Sequence, residues 1–193
     1  MSRLPPPTRD SLLPHQTDGY DELDDLAGKF FGENFTWKRK DGAMVGPFPA
    51  FLAAPEAGVG MLQYLAKLSK IPGLTAEAKE TAILSTGAHF KAAYELYAHG
   101  NIAWKTTDLS QEHVEQICNG KKPEGLNEAC STAYDVAKYM SGTPGPLPQE
   151  MWDRSVKELG RDGTMALVHY VGIYAYTCMI LNAMDAPVPK EGE

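Results

Sequence analysis

From Gly163 to Met184 the chain runs for roughly 20 mostly apolar residues, a length that matches a bilayer span. A segment of this kind either crosses a membrane or becomes a helix enclosed by other helices. His169, Thr177, Asn182, three tyrosines and Gly172 interrupt it, and its distal flank offers only Lys190. Basic anchors of the usual sort are missing. The expectation is therefore a soluble protein with no membrane partner, whose last helix, about Thr164–Met184, serves a bundle core or a subunit interface.

The rest of the chain fits a helical bundle. Residues 1–16 form a Pro-rich arm without periodicity, expected to be mobile or draped over the surface. A first helix is predicted over Asp18–Phe31, with its acids near the start, where the dipole favours them, and Gly32 at its end. Trp37–Phe48, with Gly42, Gly46 and Pro47, reads as an ordered loop. Further helices are predicted at Pro55–Lys70, at Thr75 (as N-cap) to Ala88, at Ala92–Lys105 and at Ser110–Cys118, the last stopped by Asn119-Gly120. Leu126–Met140 and Gln149–Leu159 follow, separated by the Pro-rich 141–148 link. Strand-like alternation is nearly absent, so the class is all-α. The chain divides into the arm, a single domain over 17–185 and a tail over 186–193.

Composition narrows the function. The 193 residues suffice for one domain with a proper core, and 43% hydrophobic with 22% charged residues is ordinary for a globular protein. The net charge of −7 and the absence of a basic stripe exclude nucleic acid as a partner. Lys38-Arg39-Lys40 is the one basic run, either solvated or a steering patch for an anionic substrate. Cys118, Cys130 and Cys178 are widely spaced, with no CxxC and no metal-ligand spacing, which fits small apolar packing in a reducing, cytoplasmic setting.

Chemistry concentrates in Lys79-Glu80-Thr81-Ala82-Ile83-Leu84 and Tyr94-Glu95-Leu96-Tyr97-Ala98-His99. Glu95 and His99 lie four apart on one helix face. At 100° per residue His99 joins Ala92, Leu96 and Ala103 on the side turned from water, Glu95 falls nearer the boundary, and Ala98, Asn101 and Lys105 mark the wet side. Glu80 shares a stripe with Ala76, Ile83, Leu84 and Gly87. An imidazole beside carboxylates is a competent acid–base pair, and it is equally an internal network that fixes helix packing. A metal set of His89, Glu95 and His99 is weak, because His89 falls in a turn; no metal is expected. Trp37, Tyr64, Trp104, Tyr170, Tyr174 and Tyr176 read as core or interface aromatics, some of them free to line a pocket for a flat organic substrate. His169 reads as a hydrogen-bonded core residue, and Gly172 as a close helix contact.

The order and spacing of Asp41-Gly-Ala-Met-Val-Gly-Pro-Phe48, Pro55-Glu56, Glu80-Thr-Ala-Ile-Leu84, Tyr94-Glu95-x3-His99 and His169-Tyr-Val-Gly-Ile-Tyr174 with Asn182 resemble the carboxymuconolactone decarboxylase family of the alkylhydroperoxidase D-like superfamily, over about residues 20–184. The resemblance implies an alkylhydroperoxidase D-like helical bundle and a homo-oligomer, trimer or hexamer, with sites near subunit contacts. Peroxidatic members carry Cys-x2-Cys-x3-His where this chain has Ala92, Glu95 and His99. Without that thiol pair, thiol peroxidase activity is not expected.

The decarboxylase-type members need no cofactor, and the resemblance implies a lyase acting on a small organic acid or lactone. His99 would donate or shuttle the proton, Glu95 would orient the imidazole, and Glu80 would position it or hold a substrate group. Tyr94, a backbone N–H or a neighbouring subunit would stabilise an oxyanion. Tyr94, Trp37 and His169 are the expected substrate contacts. Isomerisation, cyclisation or dehydration of a polyketide-like or other enolisable compound by the same residues stays open, as does a non-catalytic oligomeric binding protein.

Overall fold

In the computed structural model, which describes residues 2–190, the chain forms α1 (Pro14–Phe31), α2 (Phe48–Ala53), α3 (Pro55–Leu68), α4 (Ala76–Phe90), α5 (Ala93–Thr106), α6 (Gln111–Cys118), α7 (Glu128–Gly142) and α8 (Gln149–Met184). Among the described residues the only β pairing is an isolated antiparallel bridge, Lys38 to Met44, inside the 32–47 loop. The class is all-α, as the periodicity predicts.

Local chemistry explains most boundaries. Thr75, Ser110 and Asn127 accept side-chain caps from the N–H groups of Ala78, His113 and Cys130, each cap worth about 1 kcal/mol. The Asn127 cap moves the start of α7 to Glu128 instead of Leu126. The first helix begins at Pro14, inside the stretch read as arm, because proline fits a first helical turn and the Gln16 side chain accepts the Leu13 N–H. Gly160 (φ 71°, ψ 172°) breaks α8 into two helices without an intervening loop. The short α2 carries no sequence expectation; burial of Phe48 and Phe51 holds it.

Helix α4 is the axis. Every residue from Glu80 to Gly87 is buried, and α5, α6, α7 and α8 pack around it. Helices α1, α2 and α3 form a second group, joined to the first through Ile83 of α4 and Ala166, Tyr170 and Tyr174 of α8. Helix α8 has the length and composition of a membrane span, with a mean hydropathy of 1.4 in its most apolar window, yet half of that window is buried within the fold. The N-terminal residues are draped over this body: Arg3 N–H donates to Met184 O, Met44 N–H to Pro7 O, and Arg9 pairs with Asp21.

Gly46 is placed by its neighbour. Its φ is +68°, and a Cβ there would stand 2.2 Å from the Tyr94 ring, so only glycine lets the 32–47 loop close over that tyrosine.

Candidate active site

Glu80 stands in the second turn of α4, Glu95 in the first turn of α5 and His99 one turn later. The crossing of the two helices brings their side chains together at 1%, 3% and 6% exposure. His99 donates through Nδ1 to Glu80 Oε2 at 2.7 Å. The other Glu80 oxygen lies 3.1 Å from Lys79 Nζ, whose stem reaches the surface. His99 Nε2 is 3.3 Å from Glu95 Oε1, but the groups are not aligned for a hydrogen bond, and this buried oxygen has no hydrogen-bond partner. Tyr174 of α8 packs edge-to-face on the imidazole, with centroids 4.8 Å apart.

Glu95 is the correction to the helical-wheel reading. It is buried, as is Ala98, a residue that the helical wheel puts on the wet side. The cover comes from outside α5: α8 and the Phe35 segment close over this face. The roles of the carboxylates also separate. Glu80, not Glu95, bonds to the imidazole and sets its orientation.

Electrostatics sharpen the contrast. Burial alone would raise Glu80, but the His99 charge and hydrogen bond, with Lys79, outweigh it and hold the carboxyl below its ordinary range. Burial would lower His99; Glu80 and Glu95 reverse this and favour the imidazolium. Glu95 is pushed up to about 7 by burial, only partly opposed by His99 and reinforced by Glu80. The contact thus favours the ionised form of Glu80 and the charged form of His99, and leaves Glu95 poised to gain or lose a proton near neutral pH.

Beside this cluster lies a narrow cavity with about 40 Å³ open to the centres of water-sized molecules, space for about three waters. Its walls are Phe31, Phe35, Phe48, Phe51, Met61 and Leu65, and its polar end is formed by Glu95 and His99 with Tyr94, Tyr174 and Thr177. Glu80 sits behind His99, outside the lining.

Of the expected substrate contacts, only Tyr94 reaches the cavity. Its hydroxyl donates to Thr36 O at 2.8 Å, so its one proton is committed to the loop and it serves as wall instead of oxyanion donor. Trp37 packs on Phe48 and donates from Nε1 to Gly32 O, outside the lining. His169 is exposed instead of sitting in the core, and pairs with the Tyr64 hydroxyl at 2.5 Å. His89 ends α4 against Phe90 and Gly142. Among the described residues no group of three or more His, Cys, Asp or Glu is disposed to hold a metal ion. The phenylalanine walls carry no signal in the sequence, because an apolar residue facing a cavity and one facing a core look alike there.

The cysteines offer no thiol chemistry, although Cys178 of α8 lies near Glu95. All three are unpaired, Ala92 occupies the start of α5, and burial raises the thiols, Cys118 to about 11. Thiolate character is suppressed.

No protein-family model and no curated protein matches the chain. Solved structures do. The structure described as alkylhydroperoxidase AhpD core, an uncharacterized peroxidase-related protein from Ralstonia eutropha JMP134, superposes with a TM-score of 0.74 at 17% identity, covering 99% of this chain and 94% of that one. The debrominase Bmp8 in its apo form gives 0.71 at 14% identity, with coverage of 96% and 91%. A cysteine-to-alanine variant of Bmp8 in complex with 2,3,4-tribromopyrrole gives 0.71 at 15%, with the same coverage. Identities this low speak for architecture, and the architecture is the alkylhydroperoxidase D-like fold that the sequence resemblance implied.

Proposed function

We propose that this protein is a cofactor-independent lyase of the decarboxylase type, acting on a small flat carbonyl acid or lactone, with Glu95 and His99 as the acid–base pair and Glu80 as the residue that positions His99. The observation that carries this is the unpartnered Glu95 oxygen beside His99 at the polar end of an apolar cavity. In the reaction the electrons of the breaking C–C bond pass into the conjugated carbonyl, CO2 leaves, and an acid at the polar end delivers a proton to the resulting carbanion carbon. Apolar walls favour the step by keeping water from the developing charge. A debrominase of this fold in complex with a tribromopyrrole supports a small flat ligand.

A cofactor-free screen of small carbonyl acids and lactones, read by mass spectrometry, tests the reading. The expected result is release of CO2 by wild type and none by His99→Ala, with a rate that turns over near pH 7. Conversion at constant mass would move the enzyme to the isomerases, and full turnover by His99→Ala would sink the assignment.

We propose too that the protein is a homo-oligomer built on α8. Met165, His169, Gly172, Tyr176 and Met179 form an exposed stripe, and no charged residue occurs between Gly163 and Met184. A methionine stands seven residues to either side of Gly172, so a second copy laid antiparallel on the stripe meets the same patch of residues. Pairing of this kind closes twofold contacts, which suits a hexamer better than a lone trimer. Light scattering should show Gly172→Glu halving the assembly or reducing it further; an unchanged mass would place the interface elsewhere.

A further inference from the structure

We infer that the inner end of the cavity is a receptor for one carboxylate of a small apolar acid, seated between the His99 Nε2–H and a protonated Glu95, and that it is closed to dianions. The inference rests on the proposed function and names its substrate class: monocarboxylates with a flat hydrocarbon body.

Charge counting carries the first half. Lys79, Glu80 and His99 form one connected chain of contacts at 3.1 and 2.7 Å. Two cations and one anion leave it with a single excess positive charge. Glu95, when ionised, cancels that charge. A ligand carboxylate cancels it equally well, provided Glu95 takes up a proton and becomes a donor. Two charge-compensated donors then converge on one anion, a strong arrangement away from water. Glu95 Oε1 has no partner and stands 3.3 Å from His99 Nε2, so a ligand oxygen placed beside the pair is within hydrogen-bond reach of both.

The walls carry the second half. None of the residues lining the cavity is Lys or Arg. A second carboxylate would lie against phenylalanine, methionine and leucine with no cation to meet it, at a cost in the range of an unpaired buried charge. The groups that face Glu95 are few. His99 and Tyr94 come from α5, Glu80 with Lys79 behind it from α4, and Tyr174 and Cys178 from α8; α1, α2 and α3 contribute apolar side chains only. Burial keeps Tyr94, Tyr174 and Cys178 protonated through neutral pH, so Glu95 is the group that exchanges its proton when an acid binds.

The hold on the carboxylate must loosen as its charge moves into the carbonyl, and the Glu95 proton is then free for the carbon. One residue would thus recognise the acid and, once CO2 has left, supply the proton.

Three isosteric probes test the receptor on the full-length protein: crotonate, its neutral analogue crotonamide, and fumarate, in which the methyl becomes a second carboxylate. Binding followed by protein-detected NMR from pH 5.5 to 8.5 should show crotonate held at least tenfold more tightly than either analogue. Its affinity should be level below pH 7 and fall about tenfold per pH unit above it. Calorimetry at pH 8 in two buffers should register uptake of about one proton. Glu95→Gln, which keeps a donor but cannot titrate, should bind crotonate with no such slope. Equal binding of fumarate, equal binding of crotonamide, no binding of crotonate, or a flat wild-type profile would each overturn the inference. Crotonate binding as described, in a protein that turns over no acid in the screen, would sink the lyase reading and leave the receptor standing. Turnover of an acid whose affinity is independent of pH would do the reverse.

Discussion

Replacing Glu80 by alanine is expected to remove about 3–5 kcal/mol of folding stability, the usual consequence of breaking a buried ion pair from one side. His99 is almost wholly buried and its Nδ1 has Glu80 as its partner. Without the carboxylate the imidazolium has no counter-ion at that nitrogen, and the ring must shed its proton or the site must admit water. Glu80→Gln keeps the volume and one acceptor and should lose less, about 1–3 kcal/mol.

The loss depends on pH in a defined direction. Glu80 has a folded pKa below its unfolded value, so its contribution is full above the unfolded pKa and disappears as pH falls through the folded one. His99 has a raised folded pKa, so its contribution is full below the unfolded pKa and is lost as pH rises through the folded one. The gap between wild type and Glu80→Ala is therefore widest at roughly pH 5–6.5 and narrows on both sides. Urea denaturation at several pH values reads this directly. Equal stability of the two proteins at pH 6 would mean that the pair contributes nothing.

What the sequence makes legible is what neighbouring residues decide. Thr75, Ser110 and Asn127 announce their helices because the cap is made with an N–H three residues away. Gly32, Asn119-Gly120 and the break before Thr164 are equally local. Glu80 and His99 are readable as inward-facing because their own helices place them among apolar neighbours. Glu95 is not, because its cover arrives from α8 and from the loop around Phe35, far along the chain. Helix α2 fails for the same reason: six residues carry too little intrinsic preference, and Phe48 and Phe51 become helical by being buried. Trp37 and His169 show the opposite error. An aromatic or imidazole ring advertises a site but equally serves as a wall brace or a surface pair, and only distance to His99 separates those uses. The pocket itself is assembled from α1, α2, α3, α5 and α8, so no single segment records it.

Glu95→Gln should give a protein that is more stable at alkaline pH and has lost catalysis. Glu95 is raised from an ordinary carboxyl value to about 7 by burial. For an acid whose folded pKa lies above its unfolded one, folding is favoured while both states are protonated. That advantage drains away as pH rises from the unfolded pKa through the folded one. Ionising this carboxyl in place therefore sets wild-type stability back by about 2–4 kcal/mol between pH 4.5 and pH 8. Glutamine has nearly the same shape and no charge to bury, so the variant should match wild type near pH 4.5 and exceed it by a similar amount at pH 8. Turnover, by contrast, should fall about 10²–10⁴-fold, the usual contribution of a positioned acid–base group. The two readouts separate the candidate roles of the trio. If Glu95 served only to fix helix packing, neutralising it would weaken the fold at pH 8 and leave chemistry untouched. A gain in stability with loss of turnover identifies a carboxyl kept at the expense of the fold for the sake of its proton, whereas a loss of stability at pH 8 would show that the ionised form is the one the structure is built to hold.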